Sequence, residues 1–294
     1  MKKREFRILL TENCNANCKN CFNSQYRENH HIELDDLEKI FIYLNSNGVE
    51  KLKIMGGEPT VHPDFLSAIN LAQHYFKKII IFTNALNDRI LLITPREQDS
   101  IIYNFNFITT DFETDKLLLN KPGIRAFEVQ VNYDTDVDNY KRILYTLKRK
   151  MHNKKKVNIY LTLDCTENIF LHRDEIINKW NELTEFINSE LNVEAFQDHI
   201  IPRCFYENTN MNVKKISNMC NVLCSGLIDS GLNIRYCNQH PVILGKLDLS
   251  QEFQHILSLL QTEYEEKMKK RQELKCKNCK NYLVCCNGGC FENA

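Results

Sequence analysis

Neither sign of charge is in excess. Lysine and arginine total 38, as do aspartate and glutamate, so the 294-residue chain has zero net charge with histidine neutral. A nucleic-acid partner held by general electrostatics needs a basic surplus to displace counterions, and none is expected here. Long apolar runs are lacking too. The start, Met1-Lys-Lys-Arg-Glu-Phe-Arg7, has the basic look of a signal n-region. The apolar run behind it is only Ile8-Leu9-Leu10 before Thr11-Glu12-Asn13, too short for an h-region. No run approaches membrane-spanning length, so no membrane partner and a cytoplasmic location are expected. Cysteine is plentiful. Thirteen cysteines without a signal segment, in a chain this long, read as metal ligands and not as a disulfide framework. The length suffices for one large domain and a small one.

Three of the cysteines sit in Cys14-Asn-Ala-Asn-Cys18-Lys-Asn-Cys21, directly after an apolar strand, Phe6-Arg-Ile-Leu-Leu10. Three thiolates on one tight loop can hold three irons of a cubane cluster and leave the fourth open to bind and reduce something. The triplet alone fits zinc about as well, since His30 or His31 would complete a Cys3His set. Buried inert thiols are a third reading. Context favours the cluster. A second strand, Leu52–Met55, runs into Gly56-Gly57-Glu58-Pro59, and a third, Ile79–Phe82, ends at Thr83-Asn84. Chemistry at successive strand ends is how α/β barrels build a site.

The C-x3-C-x2-C loop after the first strand, followed by GGEP after the second, resembles the radical S-adenosylmethionine (SAM) superfamily over roughly residues 6–200. The resemblance implies an α/β fold: a partial (β/α)6 TIM-type barrel with a small cysteine-rich C-terminal cluster-binding domain. It implies a SAM-binding [4Fe-4S] cluster on Cys14, Cys18 and Cys21, with SAM on the open iron. One electron from the cluster would cleave SAM, and the 5′-deoxyadenosyl radical would take a hydrogen atom from substrate. That is an oxidoreductase or transferase-type enzyme, served by a flavodoxin- or ferredoxin-type electron donor. Backbone groups around Gly57 and Glu58 would meet the SAM ammonium, with Gly56 and Gly57 permitting close approach and Pro59 fixing the strand exit. Asn84, and Asn104 or Asn106 in Tyr103-Asn-Phe-Asn-Phe107, would face the ribose or carboxylate, against the plainer reading of turn capping. Family members usually carry an aromatic residue just before the third cysteine. Here that residue is Asn20, and the adenine contact would pass to Phe22.

Strand and helix patterns alternate, as parallel βα units require. Leu34, Leu37, Ile40, Phe41 and Leu44 share a helical face, with Asn47-Gly48 as the stop. Pro63 opens a helix carrying Leu66, Ile69, Ala72 and Phe76. Tyr140, Ile143, Leu144 and Leu147 mark a third helix, and Ile176, Ile177, Trp180, Leu183 and Ile187 a fourth. Strands are expected near 101–109, 125–133, 157–163 and 193–201, one more than six strands need; either 101–109 or 193–201 is extra. The basic run Lys148–Lys156 reads as a solvated turn at a helix C-terminus rather than a dock for an electron donor.

The tail changes character. Cys276-Lys-Asn-Cys279-Lys-Asn-Tyr-Leu-Val-Cys285-Cys286-Asn-Gly-Gly-Cys290 reads as a zinc ribbon or as a cluster site. It is similar to the SPASM extension of radical SAM enzymes, which binds auxiliary four-iron clusters. Cys220, Gly231 and Cys237 give that extension's first part with one residue extra; Cys276, Cys279 and Cys285 keep its C-x2-C-x5-C. Cys290 is one residue late unless Cys286 is the ligand, and the usual last cysteine is missing before Ala294. The resemblance implies residues 1–205 as barrel and 206–294 as SPASM or twitch-like domain. Cys220, Cys224, Cys237 and Cys290 could close one cluster. Cys276, Cys279 and Cys285 would hold a second, with an open iron or with Cys286 or Cys204 as fourth ligand. A single twitch-type cluster is the alternative. Cys165 is read as a buried thiol.

The function expected by analogy is modification of a peptide or protein side chain. A small-molecule substrate in cofactor or natural-product biosynthesis is the alternative, and a non-enzymatic iron–sulfur or zinc redox protein a third class. GGEP and Thr83-Asn84 speak against the last, since an electron carrier needs no SAM pocket. With no leader-binding domain before Phe6, peptide recognition is expected from the barrel mouth or a separate recognition protein. No acid or base is assigned; Asp164, Asp198 and His199 are only cavity candidates.

Overall fold

The first strand, β1 (Arg4–Leu9), buries Phe6, Ile8 and Leu9. The computed structural model describes residues 4–18, 21, 23, 30–105, 124–150, 158–163, 169–197, 201–207, 209–211, 226–238, 242–273 and 278. These fall in two compact units, one of Met1–Asn104, Asp115–Ile124 and Asn221–Glu265, the other of Phe105–Thr114, Arg125–Cys220 and Glu266–Ala294.

In the first unit β1 runs parallel to β2 (Val49–Met55), β2 to β3 (Lys78–Thr83) and β3 to β4 (Ser100–Asn104). Parallel neighbours need crossover connections. The first two are helices, α1 (Leu34–Ser46) and α2 (Phe65–Tyr75). α1 buries Leu37, Ile40, Phe41 and Leu44 of the predicted stripe, leaves Leu34 half-buried, and ends before Gly48 at φ +79°, a conformation glycine adopts without strain. α2 differs in detail from its expectation. Pro63 precedes the helix, the inner face is Phe65, Ala68, Ile69 and Ala72, and Leu66 is only half-buried. The third crossover has no α-helix, where strict alternation predicts one. A 3-10 turn (Asp88–Leu92) and a knot around Asp99 replace it. Asp99 accepts from the backbone of Ile79 (3.0 Å) and Arg96 (3.0 Å), the Arg96 guanidinium (2.9 Å) and Gln73 (2.9 Å). Burial pushes its carboxyl up, but the Arg96 side chain and these other donors hold it below the ordinary range.

Chain from beyond residue 205 joins the same unit, through elements absent from the sequence expectation. β8 (Leu227–Ile228) pairs in parallel with β1, then antiparallel with β9 (Asn233–Arg235), which pairs antiparallel with β10 (Ile243–Lys246). A buried Arg235–Asp229 pair (2.7 Å) ties the hairpin. α6 (Phe253–Glu273), of which the residues up to Glu265 belong to this unit, buries Phe253, Ile256 and Leu260, and its Phe253 ring lies 5.5 Å from that of Phe6.

The second unit carries β5 (Ile124–Val131), β6 (Asn158–Leu163) and β7 (Ala195–Gln197), parallel in that order, with α3 (Val137–Lys150), α4 (Arg173–Ser189) and a helical turn α5 (Arg203–Tyr206). Every residue predicted for the inner faces of α3 and α4 is buried. Both 101–109 and 193–201 contain strands, so the structure singles out neither as extra. The run Lys148–Lys156 begins in the last turn of α3, where Lys148 donates to the Glu190 carbonyl; residues 151–156 lie outside the described residues. Among the described residues no helix is long and apolar enough to cross a membrane.

Glu5 on β1 faces Lys51 and Lys53 on β2, with Lys53 at 3.0 Å. Burial alone would raise its carboxyl; the two lysines win and hold it at about 2, down from 4.5. A depressed carboxylate stabilises the fold above its unfolded value and loses that contribution as pH falls through its folded one. Glu5→Gln should therefore remove part of the stability lost between about pH 4.5 and 2. Urea midpoints of the metal-free protein across that window test this; parallel pH profiles for wild type and variant would contradict it.

Candidate functional site

The cysteine loop is closed at its neck before it reaches its first thiol. Thr11 and His31 form an isolated antiparallel bridge. Around it, Glu12 N–H donates to the His30 carbonyl (3.1 Å), Ile32 N–H to that of Leu10 (2.9 Å), and the Thr11 hydroxyl to His30 again (2.9 Å). His62 supports the far side. Its Nε2 lies 2.8 Å from the Ile32 carbonyl and its Nδ1 accepts from Asp64 N–H (3.0 Å), which assigns the proton to Nε2. Burial pushes its pKa down and so keeps it neutral. Residues 12 to 30 thus leave and return through one fixed gate.

The end of β2 is fastened to the same segment. Gly57 N–H donates to the Thr11 carbonyl and Glu58 N–H to that of Asn13, both at 2.8 Å. The two backbones are so close that only glycine fits. A Cβ on Gly57 would lie 2.4 Å from the Asn13 oxygen and 2.5 Å from the Glu12 oxygen; one on Gly56 would lie 2.7 Å from the Thr11 oxygen. The close approach inferred from the sequence is real, and its partner in the structure is the chain itself.

Glu58 is 1% exposed. Its Oε1 accepts from Thr60 N–H (3.2 Å) and from the hydroxyls of Thr60 and Thr83 (both 2.7 Å); its Oε2 accepts from Asn84 N–H (2.7 Å). Burial pushes the carboxyl up, and the four donors oppose that. The side chain therefore ties the end of β2 to the end of β3. Pro59, buried, opens the following 3-10 turn (Pro59–Val61). Arg89, which the sequence reading passed over, holds that turn from outside. It donates to the carbonyls of Thr60 (3.1 Å), His62 (2.5 Å) and Pro63 (2.6 Å), and Asn87 joins it at Thr60 (3.3 Å).

Beyond β3 the chain turns back on itself. Ala85 has φ +58°, a left-handed conformation rare for a residue with a Cβ. It sets two local bonds, Ala85 N–H to the Thr83 hydroxyl and Leu86 N–H to Asn84 Oδ1, both 3.0 Å. Asn84 therefore performs a turn-capping role, and its amide nitrogen is left pointing at the cysteine loop. That nitrogen donates to Asn15 Oδ1 (2.8 Å) and lies 3.9 Å from Cys14 Sγ.

Cys14, Cys18 and Cys21 are half-buried and in no disulfide. Among the described residues no three of His, Cys, Asp and Glu converge as a single metal ion requires. A cubane makes a different demand, one thiolate per iron. The donor set fits it, and so does Asn23, two residues past Cys21. Asn23 is 2% exposed and, among the described residues, its buried Nδ2 has no hydrogen-bond partner. An unpaired donor in such a place costs about 1–3 kcal/mol unless something accepts from it.

The other candidates are scattered or lie beyond description. Asn104 ends β4 and is half-buried. Cys237, half-buried, follows β9 in the first unit; Cys204, exposed, sits on α5 in the second. Phe22, Asn106, Asp164, Cys165, Asp198, His199, Cys220, Cys224, Cys276, Cys279, Cys285, Cys286 and Cys290 lie outside the described residues.

The glycine clamp makes a direct prediction. Gly57→Ala must push apart two backbones, and overpacking of this kind costs about 1–3 kcal/mol. A lower unfolding midpoint and reduced iron uptake on reconstitution are expected. Wild-type stability and full iron content in the variant would contradict the clamp.

Comparison with known proteins agrees with the geometry. The radical SAM superfamily model matches residues 8–187. A probable GTP 3′,8-cyclase of Pyrococcus horikoshii is 26% identical over 153 residues, covering 52% of this chain and 47% of the cyclase. An S-adenosylmethionine-dependent nucleotide dehydratase of Selenomonas ruminantium is 26% identical over 183 residues, 60% of this chain and 64% of the dehydratase. The chain thus spans about half the length of the cyclase and somewhat more of the dehydratase. Among solved structures, Streptococcus suis SuiB bound to S-adenosylmethionine matches with a TM-score of 0.71 at 15% identity, over 99% of this chain and 73% of SuiB. The anSMEcpe structure with bound AdoMet and Kp18Cys peptide matches with a TM-score of 0.64 at 14% identity, over 97% and 88%. The parallel βα units are those of the partial barrel these proteins share. With its cysteine loop and GGEP clamp at successive strand ends, the chain belongs to the radical SAM superfamily and is an enzyme of that class.

Proposed function

We propose that the enzyme holds a [4Fe-4S] cluster on Cys14, Cys18 and Cys21, cleaves SAM there, and modifies a side chain of a peptide or protein. When bound, the cluster supplies one electron and SAM supplies the group that takes hydrogen from the substrate. The chain's own residues position them. The Thr11–His31 gate fixes where the cysteine loop begins and ends. The Gly57 and Glu58 N–H bonds hold its first turn against β2. Glu58 is consumed internally, so any contact with the SAM ammonium falls to backbone groups of this turn. Asn104, Asn106 and Phe22 are the proposed further SAM contacts. The observation that carries the reading is the welding of the cysteine loop to the GGEP turn, an arrangement a simple electron carrier has no use for.

The peptide substrate is supported by two things. The tail spacing Cys276, Cys279, Cys285 is that of SPASM-type auxiliary sites, and one similar structure is SuiB bound to its precursor peptide SuiA. We place one or two auxiliary [4Fe-4S] clusters in residues 206–294, on ligands drawn from Cys220, Cys224, Cys237, Cys276, Cys279, Cys285, Cys286 and Cys290, with Cys204 as an alternative. A flavodoxin- or ferredoxin-type donor, a separate peptide-recognition protein and a cytoplasmic location complete the proposal. A nucleotide substrate is the second reading, favoured by the sequence relatives, which are named as GTP 3′,8-cyclases and a nucleotide dehydratase.

Anaerobically reconstituted protein should form 5′-deoxyadenosine from SAM under reductant, and replacing Cys14, Cys18 and Cys21 together by alanine should abolish this. Deoxyadenosine from the triple variant would overturn the assignment. Folded Cys237→Ala and Cys279→Ala variants, checked by circular dichroism and gel filtration, should still make deoxyadenosine while losing product. Deuterium carried into deoxyadenosine from a labelled cysteine- or glycine-rich peptide encoded beside the gene supports the peptide reading; transfer from labelled GTP instead would replace it with the nucleotide one.

A further inference from the structure

We infer that Asn84 is a positioning residue acting through Cys14: its side-chain amide donates to the Cys14 sulfur and thereby raises the reduction potential of the cluster that the proposed function places there. The inference rests on that placement.

The orientation of the amide is fixed by the turn it sits in. Asn84 Oδ1 accepts from Leu86 N–H at 3.0 Å, a bond imposed by the left-handed Ala85. Flipping the amide would set its NH2 against that N–H and its oxygen against Asn15 Oδ1 and Cys14 Sγ. The nitrogen therefore faces the loop. One of its hydrogens serves Asn15 Oδ1 at 2.8 Å; the other is available to Cys14 Sγ at 3.9 Å, a long contact to a neutral thiol. A thiolate bound to iron carries more charge and is the stronger acceptor, since hydrogen bonds to ionised groups are shorter and stronger. Glu58 holds the donor in place from behind, through Asn84 N–H at 2.7 Å. The residue is 8% exposed, so water does not compete freely for the bond. Hydrogen bonds to cluster sulfurs are among the factors that set the reduction potential. Reduction adds negative charge, and a donor favours the more negative state.

Three variants separate this role from the alternatives. In reconstituted full-length protein, the cluster whose EPR signal changes on adding SAM is titrated with reductant. Asn84→Ala should retain its iron and shift that midpoint to a more negative potential. Asn84→Asp keeps the shape and the Leu86 bond but presents oxygen to the sulfur, and should shift it further. Asn15→Ala removes only the neighbouring acceptor and should leave the midpoint at the wild-type value. A wild-type midpoint in both Asn84 variants, or weaker SAM binding at unchanged potential, would overturn the inference and make Asn84 a turn cap or a SAM contact. The same shift in Asn15→Ala would also overturn it, assigning the effect to loop structure. Wild-type protein with no SAM-responsive signal would instead be a failure of the cluster assignment itself.

Discussion

The site depends on one close contact. The backbone of Gly56 and Gly57 lies so near that of Thr11, Glu12 and Asn13 that no other residue fits at Gly57 without moving one of them. This contact converts two strand ends into one object. The cysteine loop leaves β1 already held by β2, and Glu58 passes the constraint to β3 through Thr83 and Asn84. Asn84 then returns to Asn15 and the Cys14 sulfur. The chain of contacts closes on itself. On the proposed function this loop presents thiolates to separate irons, and its described residues are held by this circuit.

Much of this was legible in residue order. Helical stripes such as Ile176, Ile177, Trp180, Leu183 and Ile187 were read correctly because burial alone decides a 3.6-residue period. The crossover between β3 and β4 was not, because Asp99 and Arg96 replace a helix with a polar knot that has no periodicity. The strand β8 has two residues, too few to show a pattern. α6 carried a readable signal in Phe253, Ile256 and Leu260, overlooked beside the cysteines that flank it. In the site, glycine at 56 and 57 announced a close approach but not to what. Glu58 was read for its backbone, while its carboxylate is spent on groups 25 and 26 residues away, a pairing that only folding brings about. Arg89 and Asn87 gave no sign at all, since a residue that satisfies carbonyls leaves no signature in composition.

Fold similarity and sequence similarity cover different shares of the chain. The match to SuiB extends over nearly the whole chain, yet at 15% identity it speaks for architecture alone. The cyclase similarity is closer in sequence but is confined to about half of each protein. The first supports a shared barrel; on the proposed function, substrate choice is set by segments that differ. For this chain those segments include the cysteine-dense tail, where the proposed auxiliary clusters reside.

An anaerobic crystal structure of the reconstituted protein with SAM, phased at the iron edge, tests the central claim most directly. The account predicts iron on Cys14, Cys18 and Cys21, with Gly57 still bonded to Thr11 and Glu58 still buried against Thr60, Thr83 and Asn84. Cys14, Cys18 and Cys21 without iron, or a Glu58 carboxylate swung out to meet the ligand with the Gly57 bond broken, would contradict it.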